Sequence, residues 1–303
     1  MKKRVAVSKA KHYVIEKFLH PLNLWGAKPI GTDLVGNIIL KMNRKTSLGE
    51  RGDLLHIPDD GHILNNVKKY SVWAGEEVEF LIERQKIISN RNPSEIVTFI
   101  DLGAHCGLIT RQFVLETSFE GRVILVEPVL QHVFAIRKNL SKITRSSNVQ
   151  VIEAALGIAD GKSKIFKEIR NSGNASLFKG LTDENLRTTS DIFVISASEF
   201  SKTVAANPGL IILKSDLQGF DAKVLARFSN IFWNILDSAV VEVLAISEID
   251  KSDVEIIVER LKDFKYFSWK PKKEMSITLE EIRIFWLSKS GEQRNPYFSR
   301  SII

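Results

Sequence analysis

Residues 96–127 alternate between two kinds of order. An apolar, β-branched run, Ile96-Val97-Thr98-Phe99-Ile100, ends in Asp101 and a turn, Gly103-Ala104-His105-Cys106-Gly107. Apolar positions at helical spacing follow (Leu108, Ile109, Phe113, Val114). After a break at Gly121, a second apolar run, Val123-Ile124-Leu125-Val126, closes on Glu127. This predicts a strand–loop–helix–strand crossover of about 30 residues, the size of a parallel βαβ unit. The same punctuation continues downstream. Residues 130–143 read as an amphipathic helix, 148–156 as a third strand, and 210–216 as a buried strand leading into a helix near Phe220. Residues 239–243 read as a fifth strand, and 252–261 as a helix capped by Ser252 and Asp253. Apolar runs at 266–269 and 282–287 are expected to form an antiparallel edge pair. Strands alternating with helices imply an α/β fold: a doubly wound, mostly parallel, Rossmann-like sheet with an antiparallel C-terminal edge pair and a small N-terminal appendage.

Three segments flank or interrupt this pattern. Residues 1–69 read as a basic N-terminal segment, with a short amphipathic helix near residue 8 and a hairpin pairing 53–57 with 62–64. The main domain is expected over 70–290, opening with a helix at 76–88, and 291–303 is expected to be a C-terminal tail. Within the domain, 162–208 forms an excursion of β-like runs around a polar Asn171-Ser172-Gly173-Asn174 tip. Loops longer than about 12–15 residues are uncommon unless functional or structured, so this one is expected to be a flap over the open ends of the strands, with Asn174 and Ser176 near a substrate.

Composition adds three constraints. The 303 residues, 44% hydrophobic and 26% charged, suffice for a full globular core. The single cysteine, Cys106, excludes an intrachain disulfide framework and fits a reducing, cytoplasmic setting; no apolar run reaches the ~20 residues of a membrane span. The net charge of +7 is uneven: residues 1–51 carry 11 Lys and Arg against 3 acids, and the remainder is balanced. The main body therefore lacks the basic stripe that nucleic-acid binding needs. The N-terminal segment is suited at most to peripheral contact with an anionic surface.

The 96–127 unit also carries chemistry. Glycines at 103 and 107 remove Cβ atoms from the strand-to-helix turn, which lets a ligand approach the backbone. An acid ending the next strand, Glu127, sits where it can accept hydrogen bonds from ribose hydroxyls. The expected ligand is an adenosine compound. A dinucleotide fingerprint would need glycine at His105 and a third glycine further on, so an NAD-linked oxidoreductase has the missing glycines against it.

The Asp101-x-Gly103-x-x-x-Gly107 spacing resembles motif I of class I S-adenosyl-L-methionine (AdoMet) methyltransferases, and further motifs resemble the FkbM family of such enzymes. These are Asp101-Leu-Gly-Ala-His-Cys-Gly107, Val126-Glu-Pro128, Ala154-Ala-Leu-Gly157 with Asp160-Gly161, Asn174-Ala-Ser-Leu177, and Leu213-Lys-Ser-Asp-Leu-Gln-Gly-Phe-Asp221, in the family's order across about residues 70–245. The resemblance implies an O-methyltransferase acting on a hydroxyl of a glycan sugar or a small secondary metabolite. It places the methionine tail of AdoMet over Asp101 and Gly103, with His105 beside the cofactor carboxylate, the ribose on Glu127 and the adenine near Ala154 and Ala155. Asp216 is then the general base or acceptor-orienting group, with Lys214 as its partner on the same strand face and Asp221 as a further substrate contact. Gln218 and His105 stand where the family has Glu and Asn. That leaves a second implication open, a non-catalytic AdoMet-binding partner in glycan assembly. Asp216, Asp221 and Glu242, without a histidine, are a weak metal set, and no metal is expected.

Overall fold

The computed structural model describes residues 26–59, 61–143, 148–168, 171–181, 187–271 and 276–301; the helix expected near residue 8 lies outside them. In chain order the elements are β1 (Ala27–Thr32), β2 (Ile38–Met42), β3 (Leu54–Ile57), α1 (Ile63–Tyr70), α2 (Gly75–Arg91), β4 (Val97–Leu102), α3 (Leu108–Thr117), β5 (Arg122–Val126), α4 (Leu130–Leu140), β6 (Val149–Ile152), β7 (Ala155–Gly157), β8 (Gly161–Glu168), β9 (Asn171–Ser176), a 3-10 turn at Lys179–Leu181, β10 (Arg187–Ser196), α5 (Ala197–Ala205), β11 (Leu210–Ser215), α6 (Asp221–Leu225), α7 (Asn230–Ile235), β12 (Leu236–Val241), β13 (Val243–Leu244), α8 (Lys251–Leu261), β14 (Tyr266–Ser268), α9 (Leu279–Leu287), β15 (Gln293–Arg294) and β16 (Tyr297–Ser299).

Seven strands form the central sheet in the order β14-β16-β12-β11-β4-β5-β6. β6, β5, β4, β11 and β12 run parallel, and β16 lies antiparallel between β12 and β14. This is the doubly wound, Rossmann-like α/β sheet with an antiparallel edge. Every residue of β4 and β12 is buried, as expected of strands covered on both faces. One apolar core holds Ile100, Leu213, Phe232 and Trp286, and another holds Phe80, Phe99, Phe113 and Val240. The chain runs β4-β5-β6 to one side and returns through β11 and β12 to the other, so strand order reverses between β4 and β11. In an open sheet the crevice at that reversal is where a ligand binds.

Several local expectations are corrected. Residues 282–287 are helical, not a strand: Thr278 accepts from the Glu281 amide and the Glu281 carboxylate accepts from the Thr278 amide, a capping box that starts α9. The second edge strand is β16, inside the expected tail. Residues 53–57 pair with β2 instead of 62–64, giving an antiparallel β1-β2-β3 sheet, because 63–70 is helix α1. The α8 cap is Asp250, whose side chain accepts from the Ser252 amide. The third strand breaks after Ile152, and Ala155–Gly157 joins a separate sheet, β7-β10-β8-β9, which is the structured form of the 162–208 excursion.

The described part of the N-terminal segment shares a core with the main sheet's helices, in which Leu40, Leu48 and Leu55 pack with Cys106, Leu108 and Ala135. Polar ties reinforce it. Asn139 accepts from the His56 amide at 2.7 Å and donates to the Cys106 carbonyl at 2.8 Å. Arg111 donates to the Leu48 carbonyl and pairs with Asp53 at 2.8 Å. Among the described residues no helix is long and apolar enough to cross a membrane.

Candidate active site

The strand-end loops at the reversal interlock through glycine and one buried lysine. Gly103 has φ +68°, and a Cβ there would lie 1.9 Å from the Asp216 carbonyl oxygen. Gly107 has φ +75°, and its Cβ would press on Ile136. Both glycines therefore serve left-handed backbone and close packing of protein on protein, and Gly103 also lines the cavity. Beneath them Lys214 is 6% exposed. Its ammonium lies 3.2 Å from Asp101 Oδ1, donates to the Gly103 and Leu102 carbonyls at 2.8 and 3.3 Å, and stands 3.9 Å from Asp216 Oδ2. Burial opposes the charge on Lys214, but the Asp101 and Asp216 carboxylates outweigh it and raise its pKa. Burial raises Asp101 despite Lys214 and a 2.6 Å hydrogen bond from Thr110. Asp101 and Lys214 thus form a buried pair that fixes the loop, and Lys214 is engaged first with Asp101 instead of Asp216.

Glu127, at the end of β5, is 4% exposed. Its Oε2 accepts from the His105 amide at 2.9 Å; its Oε1 accepts from the Val129 amide at 2.9 Å and lies 3.1 Å from His132 Nδ1. A carboxylate oxygen accepts about two hydrogen bonds, so Oε2 keeps one open position. His132 of α4 is buried, and its ring lies 4.1 Å from that of His105. Burial, then His132 and Lys214, push the His105 imidazole well below its ordinary pKa. His105 Nε2 meets Ser172 Oγ of β9 at 2.8 Å, which ties β9 to the turn.

On the other side of β4 lies a group of acids. Gln218, at φ +49°, donates to Asp216 Oδ1 at 2.6 Å and to Glu242 Oε1 at 3.0 Å. Gln293 donates to the same Glu242 oxygen at 2.6 Å, while Glu242 Oε2 is buried with no hydrogen-bond partner. Burial first, then the charges of Asp216 and Asp221, raise Glu242 well above the usual carboxyl range. Asp221 accepts from Ser215 Oγ at 2.5 Å and the Leu217 amide at 3.0 Å, and burial raises it to about 7. It holds the loop from below and does not line the cavity, a correction to its expected role as a substrate contact.

These groups surround a cavity of about 470 Å³ across the strand ends, within the usual range for small-molecule sites. Gly103, His105, Glu127, Ala154, Ala155, Asn174, Lys214 and Asp216 all line it; Asp101, Gly107 and Ser176 lie behind its wall. Ser176 is 1% exposed and donates to the Gln218 carbonyl at 2.8 Å, so it ties β9 to the loop after β11 instead of facing the cavity. Asn174 reaches the wall with its amide bonded to Glu168 and the Leu181 carbonyl. The 171–174 tip is the start of strand β9. The sequence reading gave no site role to Gln293 or His62, which line the cavity. Gln218 meets an acid in space, Glu242, 24 residues on. No group of three or more metal-ligating side chains occurs among the described residues.

No protein-family model matches the sequence, and no curated protein matches it significantly. Solved structures similar to the chain include methyltransferase FkbM from Methylobacillus flagellatus, at 12% identity and TM-score 0.39 over 68% of this chain. The chain spans 43% of that protein's length. An SAM-dependent methyltransferase from Agrobacterium tumefaciens matches at 9% identity and TM-score 0.39, over 92% of this chain and 71% of the other. Precorrin-6y C5,15-methyltransferase from Geobacter metallireducens matches at 12% identity and TM-score 0.32, over 72% and 88%. The class of the fold rests on the strand order itself.

Proposed function

We propose that the chain is an AdoMet-dependent O-methyltransferase whose acceptor hydroxyl reacts beside Asp216. One observation carries the reading: a cavity at the strand-order reversal has Glu127 at the end of β5 on one side and Asp216 after β11 on the other, with β4 and its turn between them. The donor set fits the cofactor. Glu127 Oε2 has an open acceptor position for a ribose hydroxyl, Ala154 and Ala155 give a small apolar wall for a flat base, and the cavity is large enough for the whole molecule. The motifs from Asp101 to Asp221 that resemble the FkbM family support the same reading and suggest a sugar or small-metabolite hydroxyl.

When bound, AdoMet supplies a methyl group on a sulfonium, whose carbon–sulfur bond breaks as the acceptor's carbon–oxygen bond forms. The protein's part is positioning and proton removal. Gln218 fixes Asp216 Oδ1, and Asp216 Oδ2 accepts the hydroxyl hydrogen bond and then the proton. Glu242, also held by Gln218, brings a second carboxyl to the acceptor side, so the neutral Gln218 does not leave that side without one. The flap, bonded to His105 through Ser172 and to the β11 loop through Ser176, limits water access.

Calorimetry with AdoMet, beside a methyl-transfer assay on a panel of sugar acceptors, tests the proposal. Asp216→Asn should leave AdoMet affinity near wild type and lower kcat by about 10²–10⁴-fold. Absence of AdoMet binding, or unchanged turnover in this variant, would overturn it. AdoMet binding without turnover on any acceptor would favour the non-catalytic partner.

A further inference from the structure

A second cleft, of about 440 Å³, adjoins the first, and Gln293 lines both. It lies between the N-terminal turn of α2 and the segment 293–297, with Trp269 in its wall. The two-residue β13–β15 pairing explains the sharing: it carries Gln293 toward Glu242 and its neighbour Arg294 toward the aromatic pair Trp269 and Phe285.

The lining narrows what the cleft can hold. Glu76 and Glu77 stand in the first turn of α2, and Glu77 accepts from Asn295 Nδ2 at 2.6 Å. Two carboxyls there disfavour a phosphate or other anion despite the helix N-terminus. Arg294, in the opposite wall, lies 5.4 Å from the Trp269 ring centre and 4.4 Å from that of Phe285 and is paired with Glu292 at 3.1 Å, so its charge is already matched within the protein. The amide and carboxyl groups disfavour an apolar guest, since they would lose their hydrogen bonds to water. One buried acceptor beside this cleft, Asn295 Oδ1, lacks a hydrogen-bond partner. Carboxyl and amide groups for hydroxyls, beside an indole wall, match a neutral polyhydroxylated guest.

We propose that this second cleft binds the adjoining units of a neutral oligosaccharide, one hydroxyl of which reaches Asp216 past Gln293. The inference rests on the methyltransferase reading and adds to it that the acceptor is an extended sugar chain. A small metabolite would fill only the first cavity.

The test uses the full chain, saturated with S-adenosylhomocysteine, on an array of immobilised neutral, sialylated and phosphorylated glycans, with calorimetry for S-adenosylhomocysteine itself. Neutral glycans of two or more units should be captured, and monosaccharides should not. Asn295→Ala and the isosteric Glu77→Gln should each weaken capture about three- to tenfold, the loss expected for one hydrogen bond. S-adenosylhomocysteine affinity should stay near wild type in both, and so should the melting temperature of Glu77→Gln, which keeps an oxygen for the Asn295 amide. Capture of anionic glycans alone, of no glycan by a chain that binds S-adenosylhomocysteine, or of neutral glycans equally by wild type and both variants would overturn the proposal. Neutral capture lost in the variants, in a chain that does not bind S-adenosylhomocysteine, would support the cleft and overturn the methyltransferase reading.

Discussion

Glu127 offers the sharpest quantitative test, because the structure gives its carboxylate two jobs that one substitution separates. Oε2 accepts from the His105 amide and Oε1 from the Val129 amide, each at 2.9 Å, so the carboxylate holds the turn after β4 and the start of α4. Only the remaining acceptor position on Oε2 is available to a ribose hydroxyl. Glu127→Gln keeps the shape but leaves one oxygen for two backbone donors, while its new amide group faces the other N–H. One buried donor is stranded, at a cost of about 1–3 kcal/mol in folding stability. The ribose bond loses its charge assistance, worth about 1–2 kcal/mol of affinity, or roughly five- to thirtyfold in the dissociation constant. Urea unfolding measures the first and calorimetry with AdoMet the second. A variant that unfolds like wild type would refute the assignment of the two backbone hydrogen bonds. A variant that is destabilised but binds AdoMet as tightly as wild type would refute the ribose contact alone.

Two further predictions concern the buried charges. Lys214→Met should destabilise the fold by about 3–5 kcal/mol in urea unfolding, because it leaves Asp101 buried without its counter-ion; a loss below 1 kcal/mol would show that the pair does not hold the turn. Asp221 has a folded-state pKa near 7, above its ordinary 3.8, so the folded state holds its proton more tightly and this group's contribution falls as pH rises from about 4 to about 7. Asp221→Asn, whose amide can still meet Ser215 and the Leu217 N–H, should flatten that fall in a series of unfolding curves, and an unchanged pH slope would contradict it.

The sequence made the β4–β5 unit legible because its order is local. A β-branched run, a glycine turn, a helical period and a terminal acid all fall within 31 residues, and the structure puts Asp101, Gly103, His105 and Glu127 around one turn. At 282–287, Ile282, Ile284 and Trp286 alternate like a strand although the segment is helical. The Thr278-x-x-Glu281 capping box, visible in the sequence, was the signal that decides for helix. Other features had no local signature. Gln218, Glu242 and Gln293 converge from positions 24 and 51 residues apart, and β16 is three residues whose place between β12 and β14 is set by the sheet edges available to it. Asp216 and Asp221 look alike as acids of the loop and helix start that follow β11. Burial separates them: one lines the cavity, and the other is closed beneath it by Ser215 and Leu217.

The most direct measurement is a crystal structure of the chain with S-adenosylhomocysteine. The ligand is expected in the cavity at the strand-order reversal, with a ribose hydroxyl on Glu127 Oε2, the base beside Ala154 and Ala155, and the sulfur toward Asp216 across the Gly103 turn. A ligand bound elsewhere, or bound there with its ribose away from Glu127 and its sulfur away from Asp216, would contradict it.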